Sequence, residues 1–180
     1  MRVIGGEFRS RVLKSVPGPD VRPTPDRLRE SLFSILAPRI NGTVFADLYA
    51  GTGAVGIEAL SRGAAKAIFV EQNRAAISVL RQNLKSLDLE ARSQVLQGRA
   101  AALLGGIHAD IVFLDPPYDR AGEYETSLAK LGARPPGLVP SLLIAQHDVR
   151  LKLAETYGAL HQMRVLRQGD NCLSFYAAPG

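Results

Sequence analysis

The sequence is poor in the residues that build disulfides and metal centres. It has one cysteine, Cys172, among 180 residues. No intrachain disulfide can form, and no cysteine metal site is indicated. Its histidines, His108, His147 and His161, are scattered without metal-ligand spacing, so no bound metal is expected. No apolar run approaches the length of a membrane span. The opening Met1-Arg2-Val3-Ile4-Gly5-Gly6-Glu7 lacks the apolar region of a signal peptide. A cytoplasmic protein without a membrane partner is expected. There is no internal repeat and no low-complexity tract. With 46% hydrophobic and 22% charged residues, the composition is ordinary for one globular domain with a real core.

What the chain does have is an uneven charge. The net is +5. Residues 1–29 carry seven Lys/Arg (Arg2, Arg9, Arg11, Lys14, Arg22, Arg27, Arg29) against three acids, a net of +4, and the other residues carry +1. A basic amino-terminal arm is the electrostatic footprint of a polyanion partner, although a solvated basic tail would look the same. Residues 1–24 are expected to form this arm and a linker, and residues 25–180 a single domain. Arg2, Arg9, Arg11, Lys14 and Arg22 are its candidate nucleic-acid contacts.

Pro17, Pro19, Pro23 and Pro25 punctuate the linker. Thr24-Pro25 predicts a helix start, with a threonine cap and proline in the first turn. Leu28, Leu32, Ile35 and Leu36 follow at helical spacing. Strands are predicted at 44–48, 67–71, 92–96, 111–114 and 142–145. Helices are predicted after Gly53, over 74–87, over 100–104 and around 124–131. The turn Gln168-Gly169-Asp170-Asn171 joins a final hairpin, 163–167 with 172–176. Strands alternating with helices imply a mostly parallel α/β sheet covered on both faces, with an antiparallel strand added last.

The first strand runs into Asp47-Leu48-Tyr49-Ala50-Gly51-Thr52-Gly53-Ala54-Val55-Gly56. Glycines let this turn tighten and let a ligand approach its backbone amides, and the following helix adds a positive dipole end. Gly51, Gly53 and Gly56 satisfy the dinucleotide fingerprint. Glu71 closes the second strand about 20 residues on, where an acid binds ribose hydroxyls. An adenosine-type cofactor is indicated, either a nicotinamide dinucleotide or S-adenosyl-L-methionine. Asp47 favours the second, because a carboxylate there suits a cationic amino group and would repel a pyrophosphate.

The other motif is Asp115-Pro116-Pro117-Tyr118, directly after the apolar strand 111–114. Ligands of open α/β sheets sit outside the carboxyl ends of the strands, which puts this motif and the glycine loop at one crevice. The exocyclic amine of a base is a poor nucleophile, because its lone pair is delocalised. The Asp115 carboxylate and the Pro116 carbonyl could accept its N–H hydrogens as positive charge develops. Pro117 restricts Pro116 to extended backbone. Tyr118 offers a stacking face worth about 1–3 kcal/mol per base. Asp115, Pro116 and Tyr118 are therefore the candidate catalytic residues. No hydride-transfer set accompanies the glycines, and a purely RNA-binding module would have no need of a cofactor pocket.

These motifs, together with the opening Met1-Arg2-Val3-Ile4-Gly5-Gly6, the segment Arg22-Pro23-Thr24-Pro25-Asp26-Arg27-Leu28-Arg29-Glu30-Ser31-Leu32-Phe33 and Gly56-Ile57-Glu58-Ala59-Leu60-Ser61-Arg62-Gly63, resemble the RsmD family of bacterial 16S rRNA guanine-N2 methyltransferases over nearly the whole chain. The resemblance implies a seven-stranded Rossmann-like class I methyltransferase sheet with an antiparallel last strand. It implies S-adenosyl-L-methionine as donor and the N2 amine of a guanine in small-subunit rRNA, free or within a 30S particle, as acceptor. The enzyme is expected to be a monomer. The candidate cofactor set is Thr24, Asp47, Tyr49, Ala50, Gly51, Gly53, Glu71, Gln72, Arg99 and Ala100, with Thr24 and its helix covering the cofactor. The chain departs from the pattern at Gly98-Arg99-Ala100, where an acid near the adenine is common, and at Gln146-His147, where related sequences often carry an acid. His147 is expected to be a strand-end surface residue. The alternative acceptors are a DNA adenine or a protein glutamine amide, although those sites more often read Asn-Pro-Pro-Tyr.

Overall fold

The computed structural model describes residues 1–16 and 25–179. It contains helices α1 (Asp26–Leu36), α2 (Ala54–Ser61), α3 (Arg74–Ser86), α4 (Ala100–Leu103) and α5 (Gly122–Gly132). The strands are β1 (Val44–Asp47), β2 (Lys66–Glu71), β3 (Ser93–Gln97), β4 (Ile111–Leu114), β5 (Leu142–Asp148), β6 (Thr156–Tyr157), β7 (Leu160–Gln168) and β8 (Asn171–Ala177). All eight form one sheet in the order β3-β2-β1-β4-β5-β8-β7-β6. β1 to β5 pair in parallel with one another, and β8 runs antiparallel to both β5 and β7. The resemblance implied seven strands. The additional one, β6, is a two-residue edge strand paired only to β7.

Alternation along the strands divides the core into two faces. Phe45, Ile111, Phe113, Leu142 and Ile144 pack under Leu28, Leu32, Phe33 and Leu36 of α1. On that same face Ala67 and Phe69 meet Ile57 and Leu60 of α2 and Leu80 and Leu84 of α3. The opposite face carries Ala46, Val70, Val112, Leu114, Leu143 and Ala145 against Tyr124, Leu128 and Leu131 of α5. The sheet is therefore covered on both sides, which suits strands that read as continuous apolar runs.

Of the boundaries that differ from the sequence reading, two bear on the site. Pro25 takes the cap position of α1, with extended backbone at ψ 135°, and its carbonyl accepts from Arg29 N at 3.0 Å. The helix therefore starts one residue later than expected, and Thr24 lies outside the described residues, as does Arg22. β5 runs on to Asp148 because β8 pairs with it as far as Asp148↔Asn171. His147 is consequently buried at 6% exposure, not at the surface. Its Nδ1 lies 2.9 Å from the Asp148 carbonyl and its Nε2 lies 2.8 Å from Ser174 Oγ. A carbonyl only accepts, so Nδ1 carries the proton and Nε2 accepts from the serine hydroxyl. Burial holds its pKa below the usual histidine value.

The amino-terminal segment is a small hairpin that docks on the domain. Arg2 bridges to Val12, and Val3 and Leu13 are buried in the cluster with α2 and α3, each worth about 1.5–3 kcal/mol of apolar burial. The fully buried Glu58 of α2 accepts from Ile4 N and Gly5 N, both at 2.8 Å, and from Arg62 Nε at 2.7 Å. Gly6 has φ +79°, and a Cβ there would stand 1.9 Å from the Ser61 carbonyl oxygen, so only glycine allows this approach. Arg29 is also fully buried. It pairs with Asp26 at 3.0 Å, approaches Glu58 at 4.0 Å, and donates to the Arg2 carbonyl at 2.6 Å. Arg29 is therefore an internal strut that holds the hairpin, although the charge count placed it with the basic arm.

Candidate active site

The strand order reverses between β1 and β4, since β2 and β3 lie to one side and β5 to the other. A crevice opens at such a switch point, outside the carboxyl ends of the strands. Asp47 ends β1, Glu71 ends β2, Asp115 follows β4 and Gln146 lies near the end of β5. The topology thus gathers these polar side chains although they are spread over a hundred residues of sequence.

Two adjoining clefts occupy the crevice. The smaller is bordered by Tyr49, Glu71, Gln72, Arg99, Ala100 and Asp115, among others. The larger, about 520 Å³, is bordered by Tyr49, Gly51, Glu71, Asp115, Pro116 and Tyr118, with Gln146 and Asn171 on its far wall. Tyr49, Glu71 and Asp115 border both. The arrangement provides one compartment near the β2 and β3 ends and another in front of the Asp-Pro-Pro-Tyr motif.

The glycine loop is held by backbone bonds. Ala50 N donates to the Val70 carbonyl at 2.9 Å and Gly53 N to the Ala50 carbonyl at 2.8 Å. Glu71 accepts from Gly51 N with one oxygen and from Gln72 N and Asn73 N with the other, all at 2.8 Å. Gly53 has φ +92°, and a Cβ there would meet Leu80 Cδ1 at 2.3 Å. Gly53 therefore serves the turn and the packing of α3, and Gly53, Ala50 and Asp47 are not among the residues that line either of these two clefts.

Asp47 is 1% exposed. Its Oδ2 accepts from Gly56 N at 3.2 Å, while its Oδ1 is buried without a hydrogen-bond partner. Desolvation pushes its pKa up to about 7, against the opposing backbone hydrogen bonds. An unpaired buried carboxylate oxygen is costly, and a cationic amine beside it would remove that cost. This chemistry fits the methionine end of S-adenosyl-L-methionine.

Asp115 is half-buried, Pro116 buried and Tyr118 exposed at 59%. Tyr118 Oη lies 3.5 Å from Asn171 Oδ1. Its ring is thereby left open as a platform at the mouth of the larger cleft. Arg99 caps α4 and its guanidinium is 3.6 Å from Glu123. Arg2, Arg9, Arg11 and Lys14 are all exposed on the docked hairpin. Arg11 donates to the Ser86 carbonyl at 3.2 Å and Lys14 Nζ to Gln82 Oε1 at 2.9 Å, so both lie along α3. Gln146 and Asn171 were not among the expected site residues. The only sequence signal for Gln146 was its departure from the acid usual at that position.

A sequence family described as conserved hypothetical protein 95 matches residues 1–177. The Bacillus subtilis (strain 168) protein YlbH is 36% identical over 188 aligned positions that cover both chains completely. Ribosomal RNA small subunit methyltransferase D of Escherichia coli (strain K12) is 43% identical over a segment covering 70% of this chain and 64% of that protein. The solved structure of yhhF from Escherichia coli has a TM-score of 0.86 at 35% identity, covering 99% of this chain and 97% of that one.

Proposed function

The chain belongs to the conserved hypothetical protein 95 family, and on that premise we propose that it is an S-adenosyl-L-methionine-dependent methyltransferase acting on the exocyclic N2 amine of a guanine in small-subunit ribosomal RNA. The observation that carries the reading is the placement of Asp115, Pro116 and Tyr118 in one cleft with Gly51 and Glu71. The Escherichia coli relative is named as a ribosomal RNA small subunit methyltransferase.

When bound, the donor supplies an activated methyl group. The protein's part is then alignment and electrostatics. Asp47 would hold the cationic amino group. Tyr49, Gly51, Glu71, Gln72, Arg99 and Ala100 would surround the nucleoside portion, with Glu71 offering its remaining acceptor capacity to ribose hydroxyls. Asp115 and the Pro116 carbonyl would accept from the target amine and favour positive charge on its nitrogen. Tyr118 would stack on the base, which must leave its helix to reach the cleft, so unpaired RNA is the expected substrate form. Arg2, Arg9, Arg11, Lys14 and Arg22 of the segment 1–24 would contact phosphates, and residues 25–180 would form the catalytic domain. The proposal extends to a cytoplasmic monomer acting on free rRNA or a 30S particle.

The test is methyl transfer from labelled donor to naked 16S rRNA, 30S particles, duplex DNA and a protein extract in parallel, followed by nucleoside analysis. Labelled N2-methylguanosine in the ribosomal samples is expected. Label confined to DNA adenine or protein glutamine would replace the acceptor assignment.

A further inference from the structure

Asp115 and Gln146 emerge side by side from neighbouring strands. Leu114 and Ala145 are partners in the parallel β4–β5 ladder, so the next residue of each chain leaves the sheet at the same level. Alternation puts both side chains on one face. Phe113 and Ile144, two residues earlier, share the core under α1, whereas Leu114 and Ala145 share the opposite core. Both side chains border the larger cleft.

Gln146 is 5% exposed, and its amide oxygen is buried without a hydrogen-bond partner. Its backbone is fixed, because the Tyr124 hydroxyl donates to its carbonyl. The neighbouring His147 has both ring nitrogens engaged. The strand end is thus well satisfied except at this one amide. Leaving a buried polar group unpaired is a standing cost that a bound ligand can relieve.

We propose that the Gln146 side-chain amide reads the Watson–Crick edge of the target base and makes the site select guanine. The inference rests on the guanine-N2 reading above. With the N2 amine held by Asp115, the next group along the guanine edge is N1–H, a donor, followed by O6, an acceptor. The coplanar carbonyl and NH2 of one primary amide complement that pair, the oxygen accepting from N1–H and the nitrogen donating to O6. An adenine held by its N6 amine presents the N1 lone pair and then C2–H. A cytosine held by its N4 amine presents two acceptors in succession. Guanine satisfies both ends of the amide and the other two bases satisfy one. A site built to hydrogen-bond its substrate rejects analogues that leave a buried partner unpaired.

The test uses the full chain and the ribosomal substrate on which the parallel assay finds N2-methylguanosine, once the modified position is mapped. Gln146→Leu is expected to lower kcat/KM for RNA on the order of tenfold to a hundredfold, with donor affinity by calorimetry unchanged. Gln146→Glu keeps an acceptor for N1–H and is expected to lose less than the leucine variant. Substrate carrying 2-aminopurine at the target keeps the amine but lacks O6 and N1–H. It should be penalised with the wild type and not penalised further with Gln146→Leu. An unchanged kcat/KM in both variants, or an equal 2-aminopurine penalty in wild type and Gln146→Leu, would overturn the inference. Absence of N2-methylguanosine with the wild type would instead overturn the reading on which it rests.

Discussion

The Glu71 carboxylate accepts the Gly51 backbone amide at 2.8 Å and so ties the end of β2 to the turn after β1. A single side chain shapes the cofactor loop and borders both clefts. Glu71→Ala removes all three of its backbone bonds. Donor affinity is expected to fall by about tenfold or more, since bonds to charged acceptors contribute about 1.5–3 kcal/mol each. Calorimetric titration measures it, and an affinity equal to the wild type would mean that the loop holds its shape without the carboxylate.

Asp115→Ala is expected to abolish methyl transfer while donor binding largely survives. Asp115 follows β4 outside the sheet, and Pro116 and Pro117 stiffen the chain after it. Single-turnover assays beside donor titrations separate the two. Equal loss of both would assign Asp115 to the architecture.

Asp47 gives a pH signature. Its folded pKa of about 7 stands above the ordinary 3.8, so between those values the folded protein holds a proton that the unfolded chain releases. The associated stability is full below about 3.8 and is lost as pH rises through about 7. A cationic amine favours the ionised form, so donor affinity should rise as pH climbs toward 7, short of the range in which the amine itself loses its proton. In Asp47→Asn, donor-free thermal stability should lose this pH dependence, and donor affinity should be weaker and flat with pH. Melting curves and titrations from about pH 5 to about pH 7.5 read both. A sloping affinity that persists in the asparagine variant would place the titrating group elsewhere.

Glu58→Ala leaves Arg29 buried without its internal anion and frees the amides of Ile4 and Gly5. Breaking a buried pair from one side costs about 3–5 kcal/mol. The midpoint of denaturant unfolding should drop accordingly, and trypsin should cut first at Arg9 or Arg11. Protease resistance like that of the wild type would show that apolar packing of Val3 and Leu13 suffices.

Removing the charges of Arg2, Arg9 and Arg11 together should weaken RNA binding and flatten its salt dependence. Every phosphate left without its cation keeps its condensed counterions, which lowers the slope by about 0.7–0.9. An unaltered slope would make the hairpin a bystander in RNA binding.

The sequence made the strand ends legible because each carries a sharp change of character. Apolar runs stop at Asp47, Glu71 and Asp115, and glycine or proline follows the first and last. Other features depended on partners distant in sequence. Arg29 and Glu58 read as ordinary helix charges, and their burial partners, the backbone groups of Arg2, Ile4 and Gly5, come from the hairpin far back in sequence. Gln146 and His147 read as the polar end of a strand, until β8 and Tyr124 cover them. β6 is two residues long and has no periodicity to detect. Gly53 fits the cofactor fingerprint, yet its immediate neighbour is Leu80, on a helix more than twenty residues away.

β8, which ends at Ala177, lies in the interior of the sheet with β5 on one side and β7 on the other. During synthesis the unpaired margin of β5 must wait for residues 171–177 to emerge before its ladder is complete. A product truncated before Asn171 would lose a central plank, not a border, and would display the apolar β5 margin as a template for pairing with other chains. Premature termination in this protein should therefore yield aggregates in place of a shortened enzyme, and quality-control proteases would meet that product before ribosomal RNA could.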